Sequence, residues 1–190
     1  MGVLLFTGCK KDNINDNPNT NLLCSDGIKN GDEVGIDCGG SCPDLCNSWI
    51  QKASFDIQGR DGAVGFSIGS KGYIGTGYQD VTPYSKDFWE YDPSTDIWLQ
   101  KSDFGGGART QSVGFSIGNK GYIVTGDDGV NPSPKDFWEY DPNSNSWVQK
   151  TNFGGRARRE SAGFSIGNKG YISTGVDGTI LLQDLWEYVP

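Results

Sequence analysis

An all-β fold of β-propeller blades, each of four antiparallel strands, is predicted by three observations. From residue 49 onward the chain repeats with a period of 49 residues, Gly-Phe-Ser-Ile-Gly starting at Gly65, Gly114 and Gly163. Each period holds four short runs of bulky and small residues, parted by glycine, asparagine and Asp-Pro turn signals. No helical spacing of apolar residues competes with them. Four strands in roughly 50 residues is the spacing of a propeller blade.

The second period shows the elements in order. Val113 to Ile117 alternates and forms the innermost strand, Gly118-Asn119-Lys120-Gly121 supplies residues that tolerate positive φ, and Tyr122 to Thr125 returns as the hairpin partner. A variable loop with Asp127, Asp128 and Gly129 follows. Phe137 to Tyr140 is the third strand, Asp141-Pro142 opens its turn, and Trp147 to Gln149 is the fourth. Repeats run over about 60–104, 109–153 and 158–190, within a repeat domain spanning 47–190. The strand 49–55 matches a fourth strand with no first three before it, and the last repeat stops at Pro190, one strand short. Residues 49–55 are therefore expected to complete the last blade, in their own chain or in a partner. A propeller usually needs four or more blades. An open arc of three would leave two apolar faces wet, each larger than the roughly 300–600 Å² patch a monomer tolerates. Two resolutions stay open: a shortened form of a longer repeat array, or a homodimer that closes a six-blade ring and exchanges closing strands.

Three pieces precede the repeats. Residues 1–9 end in Phe6-Thr7-Gly8-Cys9 and resemble the end of a bacterial lipoprotein signal peptide, although a basic n-region is missing. That resemblance implies an exported protein lipidated at Cys9, at the cell surface or outer membrane, or in the periplasm. The apolar run Val3 to Phe6 is far below the ~20 residues that span a bilayer, so the membrane is met only through the lipid. Residues 10–23 are rich in Asn and Asp and read as a polar tether. Residues 24–46 hold Cys24, Cys38, Cys42 and Cys46, an even set once Cys9 is set aside. In an exported chain they read as two disulfides, with three connectivities possible. Zinc is the rival, since Cys38, Cys42 and Cys46 recur every four residues, but zinc knuckles use tighter C-x2-C pairs. Asp26, Asn30, Asp32, Glu33 and Asp37 offer oxygen to calcium, yet Ile28 stands where an EF-hand needs a ligand, and solvated turns are the better reading. The whole segment resembles a small cysteine-rich motif of secreted bacterial proteins.

The residue inventory excludes whole classes of chemistry. Histidine is absent, which removes Ser-His-Asp and Cys-His catalysis and imidazole-bound metal sites. With 24 Asp plus Glu against 16 Lys plus Arg, the net charge of -8 argues against nucleic acid as a partner. No cofactor is expected. The glycine-rich hairpin, Thr-Gly at Thr76, Thr125 and Thr174, Tyr-Asp-Pro, and a tryptophan about six residues on together resemble the kelch repeat. The Trp-Glu-Tyr-Asp-Pro version resembles bacterial kelch proteins related to the galactose oxidase central domain. That resemblance implies blades radiating round a channel. It does not carry copper oxidase chemistry here, because two histidines and a tyrosine cross-linked to cysteine are needed, and every cysteine precedes the repeats.

Candidate binding residues lie where the repeats differ. Strand parity puts the loops at 78–86, 127–135 and 176–183 on one face with the linkers 104–109 and 153–159. Variable loops on a rigid scaffold are where binding is usually built. Tyr78, Asp80, Tyr84, Asp127, Asp128, Arg159 and Glu160 are the candidates there. Arg60, Arg109 and Arg158 recur every 49 residues near the channel mouth. They would either ring a carboxylate or sulfate, or pair with a neighbouring strand in every blade; the second reading is favoured, because a residue repeated per blade serves each blade. Trp89, Trp138 and Trp186 read as inter-blade core, and Glu90, Glu139 and Glu187 as structural carboxylates. The function expected is non-enzymatic binding of protein or glycan. The alternatives are a sugar-active enzyme, since some periplasmic kelch propellers resemble sialic acid mutarotases, and a purely structural fragment. The enzyme would need Asp127 or Glu160 beside an arginine.

Overall fold

Period-two alternation folds each repeat into an up-and-down sheet. The computed structural model describes residues 49–190 except 56, 57, 82, 131 and 132, together with 27, 29, 35, 36 and 40. The first sheet is β1 (Val64–Ile68), β2 (Lys71–Gly75), β3 (Phe88–Asp92) and β4 (Ile97–Lys101), antiparallel in that order. The second repeats it with β5 (Val113–Ile117), β6 (Lys120–Val124), β7 (Phe137–Asp141) and β8 (Ser146–Lys150). The third holds β9 (Ala162–Ile166), β10 (Lys169–Ser173) and β13 (Leu185–Tyr188). No helix occurs among the described residues.

Turn chemistry sets the register. Ile117 pairs with Lys120, leaving a two-residue hairpin loop whose first residue, Gly118, has φ +58°. At the other end Asp92 pairs with Ile97, and its Oδ1 accepts from the Ser94 N–H at 2.9 Å, so the side chain builds the turn that Asp-Pro starts.

Hydrophobic core forms between sheets rather than within them. Val64, Tyr73 and Phe88 of the first sheet pack with Ile123 and Tyr140 of the second; Val113, Tyr122 and Phe137 of the second pack with Ile172 and Tyr188 of the third. Glycine permits the close approach. A Cβ on Gly121 would lie 2.3 Å from the Phe66 ring, and one on Gly170 would lie 2.2 Å from Phe115, so Phe66 and Phe115 each lie against a glycine of the next blade. The innermost strands β1, β5 and β9 neighbour one another, joined near the axis by backbone bonds from Gln111 N–H to Gly62 C=O (2.8 Å) and from Glu160 N–H to Gln111 C=O (3.1 Å).

Two expectations change. Residues 49–55 form no strand, and the last sheet keeps three strands among the described residues. The chain divides into two units, Met1–Gln51 and Lys52–Pro190. Within the second, Ala53 N–H donates to Asp96 Oδ1 at 3.0 Å, Trp98 Nε1–H donates to the Ala53 carbonyl at 3.1 Å, and the Phe55 ring lies 5.0 Å from Trp98. One period later Ser102 makes the same bonds to Asn145 and Trp147, with Phe104 5.1 Å from Trp147. Residues 53–55 therefore serve the first blade as an incoming linker, because the polar groups of its fourth-strand turn need that segment as partner. The loop 176–183 also carries a short hairpin, β11 (Val176–Asp177) with β12 (Ile180–Leu181). Cys9, Cys24, Cys38, Cys42 and Cys46, with Asp26, Asn30, Asp32 and Asp37, lie outside the described residues.

Candidate functional site

The periodic arginines are consumed by the scaffold. Arg60, Arg109 and Arg158 each form a two-bond fork with an aspartate, Asp87 (2.5 and 2.8 Å), Asp136 (2.6 and 2.9 Å) and Asp184 (2.7 and 2.7 Å). Each Nη1 also donates to the carbonyl of Thr76, Thr125 or Thr174, and each guanidinium lies over the ring of Phe55, Phe104 or Phe153. Their side chains are at most 4 % exposed, so they pin linker, second strand and third strand together. For Asp87, burial pushes the carboxyl up, but bonds from Arg60, Ser85 and Trp89 outweigh it and hold the group below its ordinary range. Asp184 is held down to about 2, chiefly by Arg158 and with help from Trp186.

Other periodic side chains are also structural. Trp89, Trp138 and Trp186 each donate Nε1–H to the fork aspartate and pack edge-on against the linker phenylalanine. Glu90 and Glu139 accept from Tyr73 and Tyr122 of the second strand and face Lys101 and Lys150 of the fourth. Glu187 accepts from Tyr171 and Lys169.

What differs between repeats meets on the loop face. Tyr84 of the first blade, Asp127 and Ser133 of the second, and Arg159 and Asp177 of the third line one open recess of about 370 Å³. The loops are held there by short bridges from linker to second-strand exit, Asp61 to Tyr78, Thr110 to Asp127 and Arg159 to Val176. Asp127 Oδ1 accepts from the Gly129 N–H (2.8 Å), which turns its Oδ2 to within 3.8 Å of Arg159 Nη1. On the far wall Asp177 pairs with Arg156 at 3.0 Å. Charges of both signs, a hydroxyl and a phenol thus face one half-open space, a donor and acceptor set suited to the hydroxyls of a polar ligand.

Of the expected site residues, Asp127, Arg159 and Tyr84 come together. Glu160 sits at the rim, its carboxylate 3.5 Å from Arg159 Nε and more than half exposed. Tyr78 stacks edge-on with Tyr84 at 6.1 Å, half a step away from the recess. Asp128 is turned to its own loop by a bond from the Val130 N–H (3.0 Å), and Asp80 is exposed. Asp177, Ser133 and Arg156 were not singled out from the sequence, although each lies inside a loop-face segment that was, 176–183, 127–135 and 153–159 respectively.

No family model matches the chain, and no curated protein matches it. Solved structures do. One titled "Structure of YjhT" superposes with a TM-score of 0.55 at 21% identity, over 67% of this chain and 37% of that one. The matched part thus spans little more than a third of that neighbour's length. At this identity the likeness is one of fold: an all-β chain of antiparallel four-stranded propeller blades.

Proposed function

We propose that this chain is a non-enzymatic binding protein of kelch-like architecture, carried outside the cell on a lipid at Cys9, whose loop face takes a glycan. The observation that carries the reading is the recess shared by Tyr84, Asp127, Ser133, Arg159 and Asp177. All three blades contribute to it, Tyr84, Asp127, Ser133 and Arg159 have no like residue one period away, and its dimensions suit one or two sugar rings better than a flat protein surface. A tyrosine wall with flanking carboxylates and a guanidinium offers both an apolar face and paired hydrogen bonds to ring hydroxyls.

A glycan array probed with the soluble chain from residue 24 tests this. Binding that Arg159→Ala and Tyr84→Ala abolish supports the reading. Capture of surface proteins with no glycan signal replaces sugar by protein as the ligand, and no binding to either overturns it.

One observation favours a second reading, a sugar-active enzyme: Asp127 stands beside Arg159, an acid-base group next to an anion anchor. Faster anomer exchange of a sialic acid by NMR in the presence of the chain, lost in Asp127→Asn, would choose it.

A further inference from the structure

The recess on the loop face owes its shape to one exchange between repeats. In the first repeat the loop carries Tyr84, and its ring lies on Gly129 of the second blade: a Cβ there would stand 3.0 Å from a ring carbon and 3.2 Å from the phenol oxygen. One period on, Gly129 becomes Gly178 and Tyr84 becomes Ser133. The glycine is kept, and the ring that covers it is not. A Cβ on Gly178 would meet no atom within 4 Å, and Ser133 and Gly178 both line the recess of about 370 Å³. The opening between the second and third blades is therefore a seat for a ring, since a ring makes the same contact at the junction before it.

The two glycines are equivalent in backbone as well as in sequence. Each lies two residues after a bridge from the incoming linker, Thr110 to Asp127 in the second blade and Arg159 to Val176 in the third, and both have positive φ, +80° and +60°. Around the Gly178 seat the charges are already matched. Arg159 faces Asp127 at 3.8 Å and Glu160 at 3.5 Å, and Arg156 pairs with Asp177 at 3.0 Å. Among these described residues three carboxylates answer two guanidiniums, so no cation is left over to meet a ligand carboxylate, in a chain whose net charge is already -8.

We infer that Gly178 and Ser133 form the seat of one neutral pyranose residue, whose apolar face lies on the Gly178 backbone beside Val130 and whose hydroxyls meet Asp177, Asp127 and Arg159. This rests on the glycan reading above and adds to it where the ring goes and what charge it carries: a hexose or N-acetylhexosamine unit rather than a sialic or uronic acid. Glycine lets a ring approach the backbone closely, and a carboxylate with two acceptor oxygens suits adjacent hydroxyls. Tyr84 bounds this seat from the first blade, as it fills the one before.

Arrayed neutral and acidic glycans, probed with the 190-residue chain and with its Ser133→Tyr and Gly178→Asn variants, test this alongside thermal melts of all three. Ser133→Tyr gives the second loop the residue that the first already carries, and asparagine tolerates the positive φ of Gly178. The wild type is expected to bind neutral glycans, and each variant to weaken that binding about tenfold or more, the loss expected of a central contact. Ser133→Tyr should melt no lower than the wild type, because its ring is covered. Wild-type affinity in either variant overturns the seat and leaves the glycan reading standing, as does a preference of the wild type for sialylated or uronic-acid glycans. A lowered melting temperature in Ser133→Tyr overturns it too, since the seat then has no room for a ring. A wild type that binds no glycan at all overturns both readings.

Discussion

Arg109 and Asp136 face each other as parallel forks 27 residues apart, Nη1 to Oδ1 at 2.6 Å and Nη2 to Oδ2 at 2.9 Å, with the guanidinium 98% shielded from solvent. Such a pair is a junction rather than a site. Breaking it from one side strands a buried charge. Asp136→Ala is expected to destabilise the chain by about 3–5 kcal/mol, and Arg109→Lys to recover little of it, because an ammonium cannot supply the planar fork. Urea unfolding followed by tryptophan fluorescence measures both.

The same forks set the response to acid. Asp184 and Asp87 have folded-state acidities stronger than their ordinary ones, near 2 for Asp184, so they bind protons less readily folded than unfolded. Their contribution is complete above about pH 4, the ordinary aspartate value, and disappears as pH falls toward 2. Unfolding midpoints in urea should decline over that window, and Asp184→Asn should flatten the decline while lowering the plateau above it.

Blade spacing depends on the glycine beneath each phenylalanine. Gly121→Ala places a methyl 2.3 Å from Phe66 and is expected to cost about 1–3 kcal/mol, the range for overpacking. Gly72→Ala alters the same repeat position on the first blade, where a Cβ would meet nothing closer than 3.8 Å, and should change stability by less than about 0.5 kcal/mol, as a surface change does. Paired thermal melts decide.

Thr125 presents a different case. Its φ is +59°, a conformation costly for a β-branched residue, and its Oγ1 is buried without a hydrogen-bond partner. Its backbone is what the fold uses: the carbonyl accepts from Arg109 and Ser112, and the N–H donates to the Asp136 carbonyl. Thr125→Gly should leave the fork intact and stabilise by up to about 1 kcal/mol, relief of strain exceeding the added freedom of the unfolded chain. A raised melting temperature checks it.

Repetition made the strands legible: the span Val113–Ile117 expected for the inner strand is the one observed, and the loop face collects the stretches that break the 49-residue period. The partner of each arginine was legible too in principle, since Asp87 and Asp136 share its phase and Asp184 comes one residue early, after the shortened third loop. What periodicity alone does not reveal is direction. A ring of arginines about an axis and a ring of arginines turned into the sheets have the same spacing, and only the bonds to Thr76, Thr125 and Thr174 carbonyls distinguish them. Residues 49–55 carry a strand's pattern without a strand's neighbour, and hydrogen bonding, unlike alternation, requires one.

Phe66 on Gly121 and Phe115 on Gly170 are one contact written twice, and so are the forks beside them. A blade built this way recognises a type of neighbour, not an individual. During synthesis the first blade to emerge finds its complement in whichever blade follows, on its own ribosome or an adjacent one, with nearly the same energy. The hazard for this chain is therefore misassembly between well-formed units, and the variable loops, being the parts that do not repeat, are what tells one blade from another once they have docked.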